Sequence, residues 1–155
     1  MSLSHEFFLL SKEIDLNNRY EWYSSHRFTW SAKLALSDDL ILFLTDFLNW
    51  IPSHNPETKT NGHGLNYYGT TVIYKNGADK LINILDSLVS LFEEAPDKLT
   101  LRGRTEWYEE DDVEGYCRET RVLLSKKAFL GDLIELKKCC IKVIRDDFYL
   151  LHFGI

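Results

Sequence analysis

Six carboxylates and three aromatic side chains crowd into the eleven residues EWYEEDDVEGY at positions 106–116. Carboxylates at such density bind a cation, attract a basic protein or simply face water. The acids are contiguous and lack the alternating oxygen ligands and central glycine of a helix–loop–helix calcium site. The segment is therefore open to three interpretations: a solvated hairpin turn, a partner-binding patch or a weak cation site.

The aromatic residues of this segment favour the partner-binding interpretation. Trp107 and Tyr108 are costly to leave exposed, and such residues are enriched among interface hot spots. A ring of carboxylates around them would steer a basic protein into contact, fastest at low salt. We predict a partner-binding patch formed by Glu106, Trp107, Tyr108, Glu109, Glu110, Asp111, Asp112 and Glu114.

Histidines and cysteines, the usual metal ligands and nucleophiles, are not arranged for catalysis. No two histidines have the H-x-H or HExxH spacing that presents two imidazoles to one metal ion. The cysteines form no CxxC pair, and two adjacent helical residues such as Cys139 and Cys140 point about 100° apart. His152 lies in an apolar segment, where we expect a core or edge histidine with a satisfied hydrogen bond. We predict no catalytic residue, no metal site and no cofactor, and hence no enzyme.

Composition describes one acidic globular domain spanning residues 1–155. The chain is 45% hydrophobic with a net charge of −6, and its 24 acids outnumber its 18 bases. That balance argues against nucleic acid as a direct ligand, because binding a phosphate backbone needs excess Lys and Arg. An odd count of three cysteines and the lack of a basic, apolar leader favour the cytoplasm. The longest apolar stretch is interrupted by Asp46 and Asn49, so we predict no membrane insertion.

The elements that must position these residues follow from periodicity and caps. Strands are predicted over 5–11, 67–74, 98–108, 116–125 and 148–155, and helices over 38–51, from Asn76 to the turn before Pro96, and over 128–145. Aromatic residues near a two-residue period suggest a strand or hairpin over 19–34, and residues 52–66 suggest a flexible loop. The strands flanking the acidic segment favour a hairpin with 106–116 as its acidic turn. We predict an α+β domain: a largely antiparallel sheet with about three helices packed on one face.

Several segments of the second part of the chain resemble one protein family. NYYGTTVIY, LDSLVSLFEEAPDKLTLRG and LLHFGI, within residues 66–155, are similar to small bacterial immunity proteins. Those proteins neutralise polymorphic toxins, including the toxins of contact-dependent growth inhibition systems. The resemblance implies an acidic, cytosolic, non-enzymatic protein that binds one toxin domain, often a basic nuclease, and blocks its active site. The matching motifs are structural, so the resemblance assigns no individual functional residue.

Two other functions remain open at this stage beside the immunity-type protein. One is a small-molecule-binding or enzymatic domain, with a site in the 54–68 loop among His54, His63, Tyr67 and Tyr68. The other is a structural subunit that oligomerises through its aromatic-rich N-terminal half. The leading prediction is the immunity-type protein with a basic toxin domain as its partner.

Overall fold

The computed structural model describes residues 3–110 and 113–155. For Arg104, Glu106, Tyr108–Glu110, Val113, Glu114 and Thr120 it describes the backbone alone. The strands are β1 (Ser4–Ser11), β2 (Lys33–Ser37), β3 (Pro52–Asn55), β4 (Thr60–His63), β5 (Thr70–Ile73), β6 (Lys98–Glu110), β7 (Val113–Ser125) and β8 (Phe148–Phe153). The helices are α1 (Arg19–His26), α2 (Asp38–Leu48), α3 (Lys75–Glu93) and α4 (Lys126–Arg145), and a 3-10 turn covers Leu16–Asn18.

The strands form two separate sheets, and every described strand pair is antiparallel. Six strands form the main sheet in the order β2-β1-β8-β5-β3-β4, while β6 and β7 pair only with each other. The register places Phe7 opposite His152 and Thr71 opposite the same histidine on its other side. The predicted α+β class with a largely antiparallel sheet is confirmed.

Side chains alternate between two hydrophobic clusters on the two faces of the main sheet. Phe7 and Leu9 enter the larger cluster, which α2, α3 and α4 cover, whereas Phe8 and Leu10 enter the smaller one. This alternation follows from the two-residue period of a strand. Three helices therefore pack on one face, as predicted, but a fourth helix, α1, lies on the other face.

The prediction of a strand or hairpin over 19–34 is wrong for its first half. Residues Arg19–His26 form α1, and the following strand begins only at Lys33. Trp22 and Tyr23 make edge-to-face contacts with Phe8, with ring centroids 5.3 and 5.8 Å apart. A helix brings these two neighbouring rings to the same buried phenylalanine, whereas a strand would point them to opposite faces.

The prediction of a flexible loop over residues 52–66 also needs correction. It contains the hairpin of β3 and β4, in which Pro52 pairs with His63 and Asn55 with Thr60. β3 also joins the main sheet through the pair His54 and Val72. All four residues of β4 are exposed at the edge of the sheet, so no apolar alternation marks this strand in the sequence.

Two helices begin after a capping serine; the cap of α2 is the predicted one, whereas α4 begins at Lys126, two residues before its predicted start. The Ser37 side chain accepts a hydrogen bond from the Leu40 amide at 3.3 Å, and Asp38 and Asp39 occupy the first turn of α2. Ser125 caps α4 in the same way. The start predicted for α3 at Asn76 is wrong, because this helix begins at Lys75 and the Asn76 side chain accepts from the neighbouring Gly77 amide.

Two helical glycines have opposite surroundings and give a matched prediction. A Cβ atom on Gly77 of α3 would lie 2.2 Å from the Pro52 carbonyl oxygen, whereas one on Gly131 of α4 meets nothing within 4 Å. Gly77→Ala should therefore lower the free energy of unfolding by about 2 kcal/mol or more, because helix and strand must separate. Gly131→Ala should raise it by about 0.5–1 kcal/mol through helix propensity. Urea unfolding of both variants checks the signs, and equal effects would contradict the close approach.

Candidate functional site

The β6–β7 hairpin, here called the hairpin arm (residues 98–125), is the described element that places the predicted patch. Its two strands have 13 residues each and lie outside the six-stranded sheet. At its base, Leu99 and Val122 are buried against the domain. Thirteen residues of strand span about 40 Å, so the distal part of the arm extends well beyond the buried base.

Most of the predicted acidic turn is strand. Glu106, Trp107, Tyr108, Glu109 and Glu110 end β6, and Glu114 lies near the start of β7. Asp111 and Asp112 lie outside the described residues. Residues 106–110 and 113–116 are thus strand, a correction to the assignment of these residues to a turn. We call residues 106–114, which hold six acids and no base, the acidic tip.

Trp107 is held on the surface of the arm by a glycine. Its side chain is 60% exposed, yet its ring covers Gly115, where an added Cβ would lie 2.7 Å from Cζ2 and 2.9 Å from Nε1. The strand register shifts between Tyr108 and Glu110, and Gly115 lies in the corresponding irregular part of β7. A glycine at such a bulge lets the indole lie across the opposite backbone.

The stem of the arm carries exposed positive charge. Arg102 and Arg121 are direct cross-strand partners, and both contact the Glu119 carboxylate, with N···O distances of 2.9 and 3.5 Å. The sequence of the stem, 98–105 and 115–125, holds five bases and one acid. The sign of the charge therefore reverses along the arm, from basic stem to acidic tip.

A second polar cluster lies inside the domain, where the first and last strands of the main sheet meet. His5 Nδ1 lies 2.9 Å from His152 Nε2, and both imidazoles are fully buried. His5 Nε2 lies 3.3 Å from Asp38 Oδ1, and the Tyr67 hydroxyl donates to the same carboxylate oxygen. The chain of contacts joins β1, β8, the first residue of α2 and the turn before β5.

Hydrogen-bond chemistry assigns the tautomers of this neutral pair. A carboxylate only accepts, so His5 Nε2 carries the hydrogen and its Nδ1 accepts from His152 Nε2. His152 Nδ1 is then a bare acceptor, and it is buried without a hydrogen-bond partner. Burial, together with a smaller effect of the neighbouring His5, lowers the pKa of His152 to about 3. Burial also lowers the pKa of His5, while Asp38 opposes that shift.

The prediction that His152 is a core or edge histidine with a satisfied hydrogen bond is therefore only partly correct. His152 is a core residue and bonds through one ring nitrogen, but its other nitrogen has no partner. Cys140 is likewise buried, and burial raises the pKa of its thiol to about 12. Among the side chains that the structure describes, which do not include those of Glu106, Glu109, Glu110 and Glu114, no group of three or more His, Cys, Asp or Glu is placed to hold a metal ion.

The four residues of the small-molecule alternative do not converge. His54 bonds the Asn61 amide oxygen across the β3–β4 hairpin at 2.9 Å, Tyr67 joins the buried cluster, and Tyr68 is 83% exposed. His63 does line a cleft of about 440 Å³. The other residues of that cleft are Pro52, Ser53, Asn61, Gly62, Tyr74 and Asn76.

Sequence reasoning missed Gly115 and the Arg102–Glu119–Arg121 contacts. A glycine inside a strand pattern indicates a bulge, so the sequence could have marked Gly115 as such a position. It could not have shown that the Trp107 ring lies against this glycine. The arginine contacts depend on a register that shifts within β6, between Arg102 and Thr105. Simple counting back from the turn does not give that register.

Comparisons with family models, curated proteins and solved structures found no match to this chain. Among the helices of the described residues, none combines the length and apolar character needed to cross a bilayer.

Proposed function

We propose that this chain is an immunity-type protein that binds one basic toxin domain and blocks its active site. The hairpin arm is the surface that it uses, and the protein acts in the cytoplasm without catalysing a reaction. The observation that carries the proposal is the arm itself: a two-stranded sheet outside the main sheet, with an exposed tryptophan held on a glycine beside six acids.

The arrangement suits protein recognition better than ligand enclosure. A hot-spot residue needs a large rigid side chain in a fixed orientation, because ordering a mobile side chain costs binding free energy. Trp107 offers a large exposed ring that lies against Gly115, and Tyr116, 45% exposed on the paired strand, adds a second exposed ring. The resemblance of residues 66–155 to immunity proteins of polymorphic toxins supports the same conclusion.

The charge of the chain favours a basic partner. The chain carries a net charge of −6, and the acidic tip contributes six carboxylates without a single base. A basic protein domain is attracted to such a surface over roughly a Debye length, about 10 Å at 0.1 M salt. The same field disfavours direct binding of DNA or RNA.

The first experiment is a pull-down from the native host, washed at low and then at high salt, with bound proteins identified by mass. The proposal is supported by a single basic partner that binds at one-to-one stoichiometry and is part of a larger secreted protein. The toxic activity of that partner must also be lost in the complex. A partner that stays active when saturated with this protein would refute the blocking mechanism.

Charge reversal of the tip gives a kinetic prediction for that complex. Changing Glu109, Glu110, Asp111 and Asp112 to Lys should slow association at least tenfold at low salt and flatten its salt dependence. The control reverses Glu13, Glu21, Asp79 and Glu94, which are exposed elsewhere. Each set takes the net charge from −6 to −6 + 8 = +2. Stopped-flow measurements give the association rate of each variant. Equal slowing in both would mean that net charge, and not the position of the acids, controls association.

A second candidate function rests on the cleft lined by His63 and Tyr74. Its volume and mixture of hydroxyl, amide and imidazole groups fit a small polar molecule. Thermal unfolding with a panel of metabolites tests this function. A saturable rise in Tm with one compound, absent in His63→Ala, would favour it over the immunity-type function.

A further inference from the structure

An apolar groove lies between α2 and α3. Its volume is about 400 Å³, within the range of small-molecule sites. Phe47, near the end of α2, and Trp50, just after it, line the groove with their ring centroids 5.5 Å apart. Ile84, Leu88 and Leu91 of α3 line it as well. The groove shares no lining residue with the hairpin arm.

Part of this apolar surface is in contact with water. The side chain of Trp50 is 56% exposed and that of Leu91 64%, whereas Leu88 is buried. Single exposed apolar residues are ordinary, but apolar residues grouped around a concave surface indicate a binding site. A ligand with an apolar body would remove these side chains from water.

Among the described residues that line the groove, Lys80 alone is charged. The other polar lining residues of α3, Asn83 and Ser87, donate hydrogen bonds to carbonyl oxygens of their own helix, at 3.0 and 2.9 Å. Lys80 is exposed, and within the described part of the chain no carboxylate forms an ion pair with its ammonium. A ligand in the groove therefore meets one positive charge and a largely apolar surface.

The groove runs along α3. Lys80, Ile84, Leu88 and Leu91 have the spacing i, i+4, i+8 and i+11, which places them on one side of a helix. Eleven residue steps of helix rise about 16 Å, and this is the distance along the axis from the charge to Leu91. An extended alkyl chain advances about 1.25 Å per carbon, from its bond length and bond angle. A chain of about twelve carbons therefore fits the groove.

We propose that this groove binds a fatty acid of about twelve carbons, with its carboxylate at Lys80 and its alkyl chain along α3 toward Leu91. Charge complementarity favours this occupant, because a single cation at one end of an apolar groove fits a ligand with one anionic end and an apolar body. Each methylene that leaves water tightens binding by up to about fourfold. The inference adds a ligand site and does not depend on the proposed toxin-binding function.

Two amphiphiles with the same chain and opposite charge test this assignment. Dodecanoate and dodecyltrimethylammonium are each titrated into the full-length protein by calorimetry, at low salt and below the micelle concentration. Against a protein of net charge −6, overall electrostatics favours the cation, whereas Lys80 favours the anion. We expect dodecanoate to bind at least about fivefold more tightly than the cation. Octanoate, four carbons shorter, should bind at least about tenfold more weakly than dodecanoate.

Four variants and a fluorescence control locate the ligand. Lys80→Gln should remove the preference for dodecanoate, whereas Lys75→Gln, which removes the same charge from an exposed position of the same helix, should keep it. Leu91→Gln should weaken dodecanoate binding about fivefold or more. Ile134→Gln, at an exposed position of α4, should leave it unchanged. Binding should change the tryptophan fluorescence of the wild type, and most of that change should be lost in Trp50→Phe.

Four results would overturn the inference. The wild type could bind the cation as tightly as dodecanoate or more tightly, or it could fail to bind dodecanoate below the micelle concentration. The preference for dodecanoate could persist in Lys80→Gln. Sedimentation velocity could show a dimer that Leu91→Gln abolishes, because a second copy of the chain would then occupy the groove. The pull-down and the charge reversal of the acidic tip test the proposed function separately.

Discussion

Acidification from pH 6.5 to 4.5 should cost this protein about 2 kcal/mol of folding stability through His152 alone. The folded protein holds the pKa of this residue at about 3, whereas an unfolded chain has a histidine pKa near 6.5. The unfolded state therefore binds more protons throughout this window. Stability is complete above about pH 6.5 and falls by about 1.4 kcal/mol per pH unit below it.

The physical reason lies in the bare nitrogen of His152. An added proton on Nδ1 would have no acceptor and would place a cation in a fully buried site, beside a second imidazole 2.9 Å from Nε2. The pKa of His5 is lowered as well, mainly by burial, so its contribution has the same sign. Glu6, whose pKa is lowered by Lys33 and Tyr23 against the effect of burial, loses its contribution only at lower pH.

Urea unfolding at several pH values between 7.5 and 4.5 measures this dependence. His152→Gln keeps an amide that can donate to His5 but cannot titrate, and its stability should vary with pH by about 3 kcal/mol less than that of the wild type. His63→Gln, at an exposed position of β4, leaves both buried imidazoles in place and should retain the wild-type slope. Parallel curves for wild type and His152→Gln would show that the buried pair does not resist protonation.

Removing the indole of Trp107 should weaken the proposed complex with a toxin domain about thirtyfold, or about 2 kcal/mol. The ring is the largest exposed side chain described on the arm, and it lies against Gly115. The loss should appear in the dissociation rate, because the charges that steer association are unchanged. Surface plasmon resonance with the isolated partner separates the two rates.

Two further variants show whether orientation matters as well as area. Gly115→Ala keeps the indole but inserts a methyl group 2.7 Å from Cζ2, so the ring must move and dissociation should quicken by an intermediate factor. Leu123→Ala removes an exposed side chain near the base of the same arm and should change the affinity less than threefold. An unchanged complex in Trp107→Ala would exclude the arm as the anchor of the interface.

Much of the fold was predictable because its strongest signals are local. The opening strand, the Ser37 cap of α2, and the apolar face of α3 with Leu81, Leu85 and Phe92 all appear as expected. The failures occur where tertiary contacts decide. α1 places two neighbouring aromatic residues on one phenylalanine, and β4 forms from polar residues because β3 offers it an edge.

The candidate site was likewise predictable from the sequence only in part. Composition marked the acidic tip and Trp107, because charge and aromatic content are visible residue by residue. The contact of the Trp107 ring with Gly115 and the pairing of Arg102 with Arg121 could not be predicted. Both depend on which residues face each other across two strands whose register shifts twice. The contact between the buried histidines could not be predicted for a similar reason, because His5 and His152 are 147 positions apart in the chain.

The strand order also determines when this protein can fold during its synthesis. β8 lies between β1 and β5, so β1 and β2 cannot join β5, β3 and β4 in one sheet until residues 148–153 have left the ribosome. Until then two partial sheets are exposed, each with an unpaired edge that invites misassociation. Closing them by contacts so distant along the chain is a slow step in a fold of this kind.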